Sequence, residues 1–334
     1  MVGVQESAAR TAEGTGGATA PEAGAEAGAE AVSISGLNKT YGSIKAVQEL
    51  NLSIRKGEIF ALLGPNGAGK TTTIEILEGY RTRDSGSVRV LGLDPQNRAE
   101  LAHLKERMGV MLQQSSIYQI IRVGEAIKMF ASYYDKPANT DELLRLVGLQ
   151  DHVRSSFKDL SGGQKQRMGL ALALVGNPDI VFLDEPTASM DPQARIQTWD
   201  IIKRLQERGV TVVLTTHYME EAQRLADRVA IIDHGVLVAL DTPDSLAQHL
   251  GSDEISFRTD RSLSLAELEA LEGAASASER QPGQYVITAE NTDRLIMALM
   301  LWANGAGLEP ANITIERASL EDVFLKLTGE EVRD

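Results

Sequence analysis

The chain has 334 residues, of which 43% are hydrophobic and 24% charged, so its composition excludes collagen-like, wholly disordered and disulfide-scaffold proteins. The absence of cysteine excludes disulfides, thiolate zinc sites and a cysteine nucleophile. The net charge of −14 argues against non-specific nucleic-acid binding. The longest apolar runs are about half of the ~20 residues needed to cross a bilayer, so we expect no membrane-spanning segment.

Residues 1–31 are predicted to form a disordered tail rich in alanine, glycine and glutamate. They contain no aromatic residue and no apolar period, so they bury too little surface to offset the entropy of ordering. They also lack the basic start and apolar centre of a signal peptide. We therefore expect the protein to stay in the cytoplasm.

Residues 32–250 are predicted to form an α/β domain with a mainly parallel sheet, because short β-rich runs alternate with amphipathic stretches. The predicted strands are 58–63, 88–91, 109–112, 179–183, 211–215 and 229–232. Helical patterns predict an α-helical insertion at about 115–178.

The pattern changes after this domain, and residues 251–334 are predicted to form a small, acidic α+β accessory domain. Its predicted strands are 255–258, 285–288 and 313–316, and its predicted helices are 265–271, 292–303 and 320–327.

Residues 64–71 (GPNGAGKT) follow the apolar run 59–63 and precede a helical run, which is the strand–loop–helix setting of a phosphate-binding loop. The glycines permit positive φ and close approach, so backbone N–H groups and the helix N-terminus can surround a phosphate. We expect Lys70 to reach the β- and γ-phosphates and Thr71 to bind Mg²⁺. A glycine-rich turn before a helix is the plainer alternative, and the setting argues against it. The predicted phosphate-binding residues are Gly64, Pro65, Asn66, Gly67, Ala68, Gly69, Lys70, Thr71 and Thr72.

Two adjacent carboxylates, Asp184 and Glu185, follow a predicted strand and would emerge at the edge where open α/β sheets bind ligands. We expect Asp184 to hold Mg²⁺ or its water shell. Glu185 would orient or deprotonate the attacking water, since phosphoryl transfer needs mainly positioning and charge stabilisation. A solvated acidic turn before Pro186 explains the pair equally well alone, but the phosphate loop upstream favours the catalytic roles.

Ser161 and Gln164 have the spacing of a capping box, which predicts a helix that begins here and continues through 168–173. Gly162 and Gly163 would each cost about 1 kcal/mol inside a helix, but at its start they leave N–H groups open to an anion. A capped helix with incidental glycines accounts for this pentapeptide alone. It does not explain why one chain has a second helix N-terminus open to an anion, in addition to the one after the phosphate loop.

Over about residues 32–250 the chain resembles the ATP-binding subunits of ABC transporters, with every expected motif in order. In that family the phosphate loop of one protomer and the LSGGQ segment of the other, here 160–164, enclose the nucleotide. The resemblance therefore implies ATP and Mg²⁺ as ligands and a second ATPase subunit in a homodimer. It also implies a separate integral membrane permease that holds the protein at the cytoplasmic face of the membrane.

The resemblance assigns roles to several single residues. Each of them alone is weak evidence of function, because such side chains are usually solvated or packed against neighbours. Gln113 matches the glutamine that touches Mg²⁺ and senses the membrane partner, and His217 matches the switch histidine that contacts the γ-phosphate. Asp191 matches the aspartate that communicates across the dimer. Tyr41 matches the aromatic residue that stacks on adenine. Met190 departs from the Gly-Leu common before this aspartate, which puts the local loop shape in doubt.

Residues 78–80, 84–86, 90–92 and 319–329 resemble the daunorubicin-resistance class of ABC export ATPases, which implies export of drugs or other hydrophobic compounds. A simpler interpretation of the last segment is that Ser319 and Asp322 cap a helix that closes the accessory domain.

The alternative function is a soluble ABC ATPase that acts as a nucleotide-dependent switch on ribosomes or DNA. It is disfavoured because translation-factor relatives carry two ATPase domains per chain and DNA-repair relatives separate their motifs with long coiled coils. No nucleic acid is expected as a partner, and the helical insertion beside Gln113 is the expected docking surface for the permease.

Overall fold

The computed structural model describes residues 29–112, 117–188, 190–250 and 253–329, in which strands and helices alternate. The strands of this part of the chain are β1 (Glu30–Tyr41), β2 (Ile44–Arg55), β3 (Ile59–Leu63), β4 (Ser85–Val90), β5 (Met108–Met111), β6 (Ile180–Asp184), β7 (Thr211–Thr215), β8 (Arg228–Asp233), β9 (Val236–Asp241), β10 (Asp253–Arg258), β11 (Ala274–Gln281), β12 (Gln284–Ala289) and β13 (Ala311–Glu316). The α-helices are α1 (Lys70–Leu77), α2 (Arg98–Lys105), α3 (Val123–Ala131), α4 (Thr140–Leu146), α5 (Gly162–Leu174), α6 (Pro192–Glu207), α7 (Met219–Leu225), α8 (Pro243–Leu250), α9 (Leu265–Glu269), α10 (Thr292–Gly305) and α11 (Leu320–Thr328). None of the described helices has both the length and the apolar composition that a membrane span requires.

The central sheet has six strands in the order β5-β6-β7-β3-β8-β9, and each neighbouring pair is parallel except β8 with β9. Strand β3 is buried on both sides: Ile59, Ala61 and Leu63 face one hydrophobic core, and Phe60 and Leu62 face the other. The predicted α/β fold with a mainly parallel sheet is thus confirmed. Because β3, β6 and β7 run in the same direction, the loops that follow them leave the sheet at one edge.

The predicted strand 88–91 lies in a different sheet from the one expected. It is part of β4, which pairs antiparallel with β1 in a three-stranded sheet of order β2-β1-β4. Val88 and Val90 are buried while Ser87 and Arg89 are exposed, the alternation of a strand with one covered face. The prediction was wrong here because a run of four residues is too short to reveal that alternation.

Strand β1 also shifts the expected boundary of the N-terminal tail. It begins at Glu30, and Ala31 is only 1% exposed in the core shared with β2 and β4. The last two residues of the predicted tail, 1–31, therefore belong to the fold. Residues 1–28 lie outside the described part of the chain.

Helices α3, α4 and α5 lie between β5 and β6, where the helical insertion was predicted. Val123, Leu144 and Met168, one from each helix, are buried in the same hydrophobic core as β6 and β7. A Cβ atom at Gly109 would lie 2.1 Å from the carbonyl oxygen of Ala173, so a glycine in β5 allows α5 to pack directly on the sheet. The insertion is therefore anchored beside the strands that carry the candidate site.

Residues 253–316 form a four-stranded antiparallel sheet of order β11-β12-β10-β13, with its own hydrophobic core. Helix α10 buries Leu295, Leu299 and Ala303, which are spaced four residues apart on one face. On the sheet, the rings of Phe257 and Tyr285 stack with centroids 5.8 Å apart. The predicted strands and helices of this region are present, and β11 is an additional strand.

The last helix, α11, packs away from this sheet. Its buried residues Leu320, Val323 and Phe324 lie in the core of the α/β domain, where α11 contacts α7 and α8. The predicted cap is confirmed, since the Asp322 N–H donates to Ser319 Oγ at 3.2 Å. The helix therefore does not close the accessory domain but returns the chain to the first domain.

Replacing Phe324 with alanine is expected to lower the free energy of unfolding of the α/β domain by about 3–5 kcal/mol, the usual cost of truncating a buried phenylalanine. Urea unfolding should be followed by Trp199 fluorescence in a Trp302→Phe background, because Trp199 lies in the same core as Phe324. Leu301→Ala, which truncates an exposed side chain of α10, is the control. A Trp199 transition unaffected by Phe324→Ala would contradict the packing assigned to α11.

Candidate active site

The loop 64–69 joins β3 to α1, and its backbone requires glycine at two positions. Gly64 and Gly69 have φ values of 158° and 100°. A Cβ atom at Gly64 would lie 2.1 Å from the carbonyl oxygen of Ile232, and one at Gly69 would lie 2.2 Å from that of Ala46. At Gly67, whose φ is 82°, a Cβ atom would meet nothing within 4 Å, so this part of the loop faces open space that a ligand can occupy.

The loop folds around the side chain of Lys70, which is buried and donates from Nζ to the carbonyl oxygens of Gly64 at 2.7 Å and Pro65 at 3.1 Å. Burial lowers the pKa of Lys70, and the carboxylates of Glu185 and Asp184 act in the opposite direction. A buried ammonium held by carbonyl oxygens is available to a phosphate that enters the loop.

Helix α1 begins at the end of this loop without a side-chain cap. Its N-cap residue, Gly69, has a left-handed backbone conformation, and no side-chain hydrogen bond caps the helix. The uncapped N–H groups of the first turn and the positive end of the helix dipole favour an anion here. Within this turn Thr71 is exposed and Thr72 half-buried; in the preceding loop Asn66 is exposed.

The two predicted carboxylates lie at the end of β6, beside β7. Asp184 Oδ1 accepts a hydrogen bond of 2.5 Å from Thr215 Oγ1, and the Glu185 N–H donates to the Thr215 carbonyl oxygen at 3.1 Å. Glu185 has a φ of 49°, a strained conformation for a residue with a side chain. His217 Nε2 pairs with Glu185 Oε1. The structure therefore brings Asp184, Glu185 and His217 together.

Two residues to which the sequence gave no role also belong to this group. Thr215, the last residue of β7, orients Asp184. It could have been found in the sequence as a hydroxyl residue that ends an apolar strand. Glu78 follows α1 and is buried; burial, then the nearby Asp184 and Glu75 carboxylates, raise its pKa to about 8. Glu78 is therefore mostly protonated at neutral pH and adds little negative charge to that of Asp184 and Glu185.

The donor set fits the Mg²⁺ implied by the family resemblance. The described residues contain no cluster of three or more His, Cys, Asp or Glu that could hold a metal by themselves. Mg²⁺ needs no such cluster, because it is usually bound by one or two protein oxygens, substrate phosphates and waters. The Asp184 carboxylate, oriented by Thr215, and the Thr71 hydroxyl at the start of α1 are oxygen donors of this kind. Gln113 lies outside the described residues.

The predicted capping box at Ser161 is confirmed. The Gln164 N–H donates to Ser161 Oγ at 3.3 Å, and the Ser161 N–H donates to Gln164 Oε1 at 2.9 Å. A Cβ atom at Gly162 would meet nothing within 4 Å, whereas one at Gly163 would lie 3.0 Å from Ala194 Cβ. Within the described part of the chain, no hydrogen bond or ion pair joins 161–164 to 64–72, so this segment is not brought to the phosphate loop of its own chain.

Tyr41 lies at the tip of the β1–β2 hairpin, in register with Ile44, and is 39% exposed. Two cations lie near its ring: Lys39 Nζ is 5.3 Å and Arg81 Cζ is 5.6 Å from the centroid. The half-exposed ring leaves an aromatic surface to which a base could bind.

Asp191 caps α6, since its Oδ1 accepts from the Ala194 N–H at 2.9 Å. The unusual Met190 beside it is buried, and the Thr198 hydroxyl lies 3.4 Å from its sulfur. This methionine therefore anchors the loop to α6, and Asp191 keeps its position at the helix start. Ser189 lies outside the described residues.

Comparison with known proteins identifies relatives of this chain. Residues 47–188 match the protein-family model described as ABC transporter. A linearmycin resistance ATP-binding protein of Bacillus subtilis is 33% identical over 89% of this chain and 98% of its own length. A daunorubicin/doxorubicin resistance ATP-binding protein of Streptomyces peucetius is 36% identical over 91% of this chain and 94% of its own, and a Nod factor export ATP-binding protein of Ralstonia nicotianae is 35% identical over 91% and 95%.

Solved structures with the same fold are ATP-binding cassettes. A dimeric cassette in a post-hydrolysis state, bound to ADP and phosphate, is 26% identical with a TM-score of 0.58 and covers 63% of this chain and 98% of its own. The cbiO1 component of an ABC transporter complex from Clostridium perfringens is 25% identical with a TM-score of 0.60 and covers 66% and 92%.

Replacing Lys70 with alanine is expected to reduce ATP hydrolysis to about 1% or less, because the phosphate loop loses its only buried ammonium in the described residues. Phosphate release by the purified full chain is the measurement. Lys56→Ala removes the same charge from an exposed turn and should leave the rate unchanged. Near-normal hydrolysis by Lys70→Ala would contradict the phosphate-loop assignment.

Proposed function

Since the chain belongs to the family of ABC transporter ATP-binding proteins, we propose that it powers a separate integral membrane permease in an exporter of drugs or other hydrophobic compounds. The chain is an ABC ATPase that binds ATP. The observation that carries the proposal is the convergence of Lys70, Asp184, Glu185 and His217 at one edge of the parallel sheet. Export is inferred from the relatives, which are named for drug resistance and Nod factor export.

The site residues divide the work of ATP hydrolysis between them. Lys70 and the N–H groups of the loop bind the β- and γ-phosphates and stabilise the charge of the transition state. Glu185 orients the attacking water and takes its proton as the water oxygen bonds to the γ-phosphorus and the bond to the leaving ADP oxygen breaks. His217 holds the Glu185 carboxylate in place and contacts the γ-phosphate. Mg²⁺, held by Asp184 and Thr71, supplies further charge neutralisation when bound.

We assign the LSGGQ segment to the site of a second copy. Among the described residues of one chain, this glycine-rich helix start makes no hydrogen bond or ion pair to the phosphate loop, and similar cassettes have been solved as dimers. Ser161, Gly162, Gly163 and Gln164 of one copy would contact the γ-phosphate bound by the other, and Tyr41 would stack on adenine. ATP then favours the closed dimer, and loss of the γ-phosphate after hydrolysis opens it.

The soluble switch on ribosomes or DNA is not favoured. The relatives reported above match about nine-tenths of this chain, and their names concern resistance or export. Both ends of the chain are acidic, which disfavours a nucleic-acid partner.

The permease is proposed to dock on an exposed apolar surface at the helical insertion, which we call the docking surface. Its large side chains lie between residues 112 and 133, before, within and just after α3, and several of them are largely exposed. Large apolar side chains that are exposed in one short stretch of the chain are suited to contact with an apolar partner. The residues of the docking surface are Leu112, Tyr118, Ile120, Met129 and Tyr133.

Glu185→Gln is expected to slow ATP turnover by at least about 100-fold, because the amide cannot accept the proton of the attacking water. It should leave ATP binding intact, so that ATP with Mg²⁺ accumulates the closed dimer. Phosphate release measures the rate, and size-exclusion chromatography with ATP measures the dimer. A variant with normal turnover, or one that stays monomeric with ATP, would remove the basis for the water-activating role and the shared site.

Ile120→Glu is expected to abolish co-purification with the permease from detergent-solubilised membranes, because it places a charge in the docking surface, where Ile120 is 78% exposed. ATP hydrolysis by the isolated chain should stay unchanged. Leu301→Glu, on the exposed face of α10, is the matched control. Retention of the membrane partner by Ile120→Glu, or a ribosome or DNA partner in the pull-down, would count against docking here.

A further inference from the structure

A buried carboxylate, Glu221, lies behind the candidate site and has no part in the mechanism above. It is in the first turn of α7 and is fully buried. Its Oε1 atom accepts two hydrogen bonds of 2.8 Å, one from Thr187 Oγ1 and one from Trp199 Nε1. The Thr216 hydroxyl lies beside the same carboxylate. Segments that are distant in the sequence therefore meet at one side chain.

Two of these partners adjoin the residues that act on the attacking water. Thr187 lies in the turn that follows Glu185, and Thr216 directly precedes His217. The ring of His217 pairs with the Glu185 carboxylate. Glu221 therefore supports the backbone beside both members of this pair.

The same carboxylate is joined to helix α6. Trp199 belongs to this helix, and Asp191 caps it. One turn after Asp191, the Arg195 guanidinium carbon lies 3.8 Å from the centroid of the Tyr218 ring. The segment 216–218, which we call the switch loop, is thus held against α6 from two sides.

Burying the Glu221 carboxylate at this position has a high free-energy cost. Within the described residues, its Oε2 atom has no hydrogen-bond partner, and neither has the buried Nε atom of Arg195. Burial raises the pKa of Glu221, against the hydrogen bonds from Thr216, Thr187 and Trp199, because the charged form is disfavoured away from water. A well-packed apolar side chain is often at least as stable at such a site. The cost therefore indicates a role in positioning rather than in packing.

We propose that Glu221 is a positioning residue for ATP hydrolysis. It holds the turn after Glu185 and the switch loop against α6, so that Glu185, His217 and Asp191 keep a fixed relation to each other. This inference rests on the proposed function, because it assigns a role within the same reaction. It requires an acceptor oxygen at this position, and it predicts an effect on the catalytic step and not on nucleotide binding.

The test compares Glu221→Ala with Glu221→Gln in the purified full chain. The alanine variant should lower kcat for ATP by at least about ten-fold, while KM and the affinity for a non-hydrolysable ATP analogue change by less than about two-fold. The glutamine variant keeps an oxygen that can accept from Thr187 and Trp199, so it should retain about half of kcat or more. Thr187→Val and Trp199→Phe, which each remove one donor, should show the same selective loss of kcat.

Glu58 provides a matched control. It is also a buried carboxylate: its Oε1 accepts from the Arg55 N–H at 2.7 Å and lies 3.3 Å from Arg228 Nη1. It directly precedes β3, at the opposite end of that strand from the phosphate loop. Glu58→Ala should lower the Tm without changing kcat, which measures the effect of a buried carboxylate on folding alone.

The proposal would be overturned by a folded Glu221→Ala variant with kcat close to wild type, or by a glutamine variant as inactive as the alanine one. It would also be overturned if KM rose in parallel with the loss of kcat. If Glu221→Ala does not fold, normal kcat in both Thr187→Val and Trp199→Phe decides against it. A wild-type chain without ATPase activity would contradict the proposed function itself, whereas an active Glu221→Ala beside an inactive Glu185→Gln contradicts only this inference.

Discussion

The parallel pairing of β6, β7 and β3 is the constraint on which the rest of the molecule depends. It sends the phosphate loop, the Asp184-Glu185 pair and the switch loop out of the sheet at one edge, although more than a hundred residues separate the first from the last. The hydrogen bonds from Thr215 to Asp184 and from the Glu185 backbone to Thr215 show how closely neighbouring strands fix the groups. An antiparallel pairing at either position would place one of them at the far edge.

Charge balance at this edge follows from the burial that the sheet imposes. The Lys70 ammonium is away from water, and the carboxylates of Asp184 and Glu185 offset part of the cost of its charge. Glu78 would add a further negative charge, but its raised pKa keeps it mostly protonated. The site is therefore left with one buried cation and two carboxylates at the same edge of the sheet, a combination that would suit the transfer of a phosphoryl group.

The parts predictable from the sequence were those that local spacing defines. The loop 64–71 and the cap at Ser161 carry their geometry in a few consecutive residues, and both form as expected. Strands with a short, mostly apolar and buried run were likewise found, whereas β4 was placed in the wrong sheet and β1 and β2 were not identified. Their half-polar alternation is hard to distinguish from loops in a single sequence.

The burial of Glu221 and Glu78 could not have been predicted in this way. A glutamate in a helix or directly after one usually faces water, and the neighbouring residues along the chain do not reveal that Trp199 lies against Glu221 or Asp184 near Glu78. The same holds for α11, whose apolar stripe predicts a covered face but not which domain covers it. Contacts between residues far apart in the sequence decide these cases.

The return of α11 to the α/β core also changes what the accessory sheet can do. Because its strands lie between α8 and α11 in the chain, and these two helices pack on each other, the sheet is connected at both ends to the same pair of helices. A sheet attached at two adjacent points cannot swing on a single flexible hinge. Any rearrangement of α7 and α8 that accompanies the nucleotide cycle would therefore also move the accessory sheet. A chain cut at residue 250 would lose the accessory domain and, with α11, part of the hydrophobic core of the α/β domain.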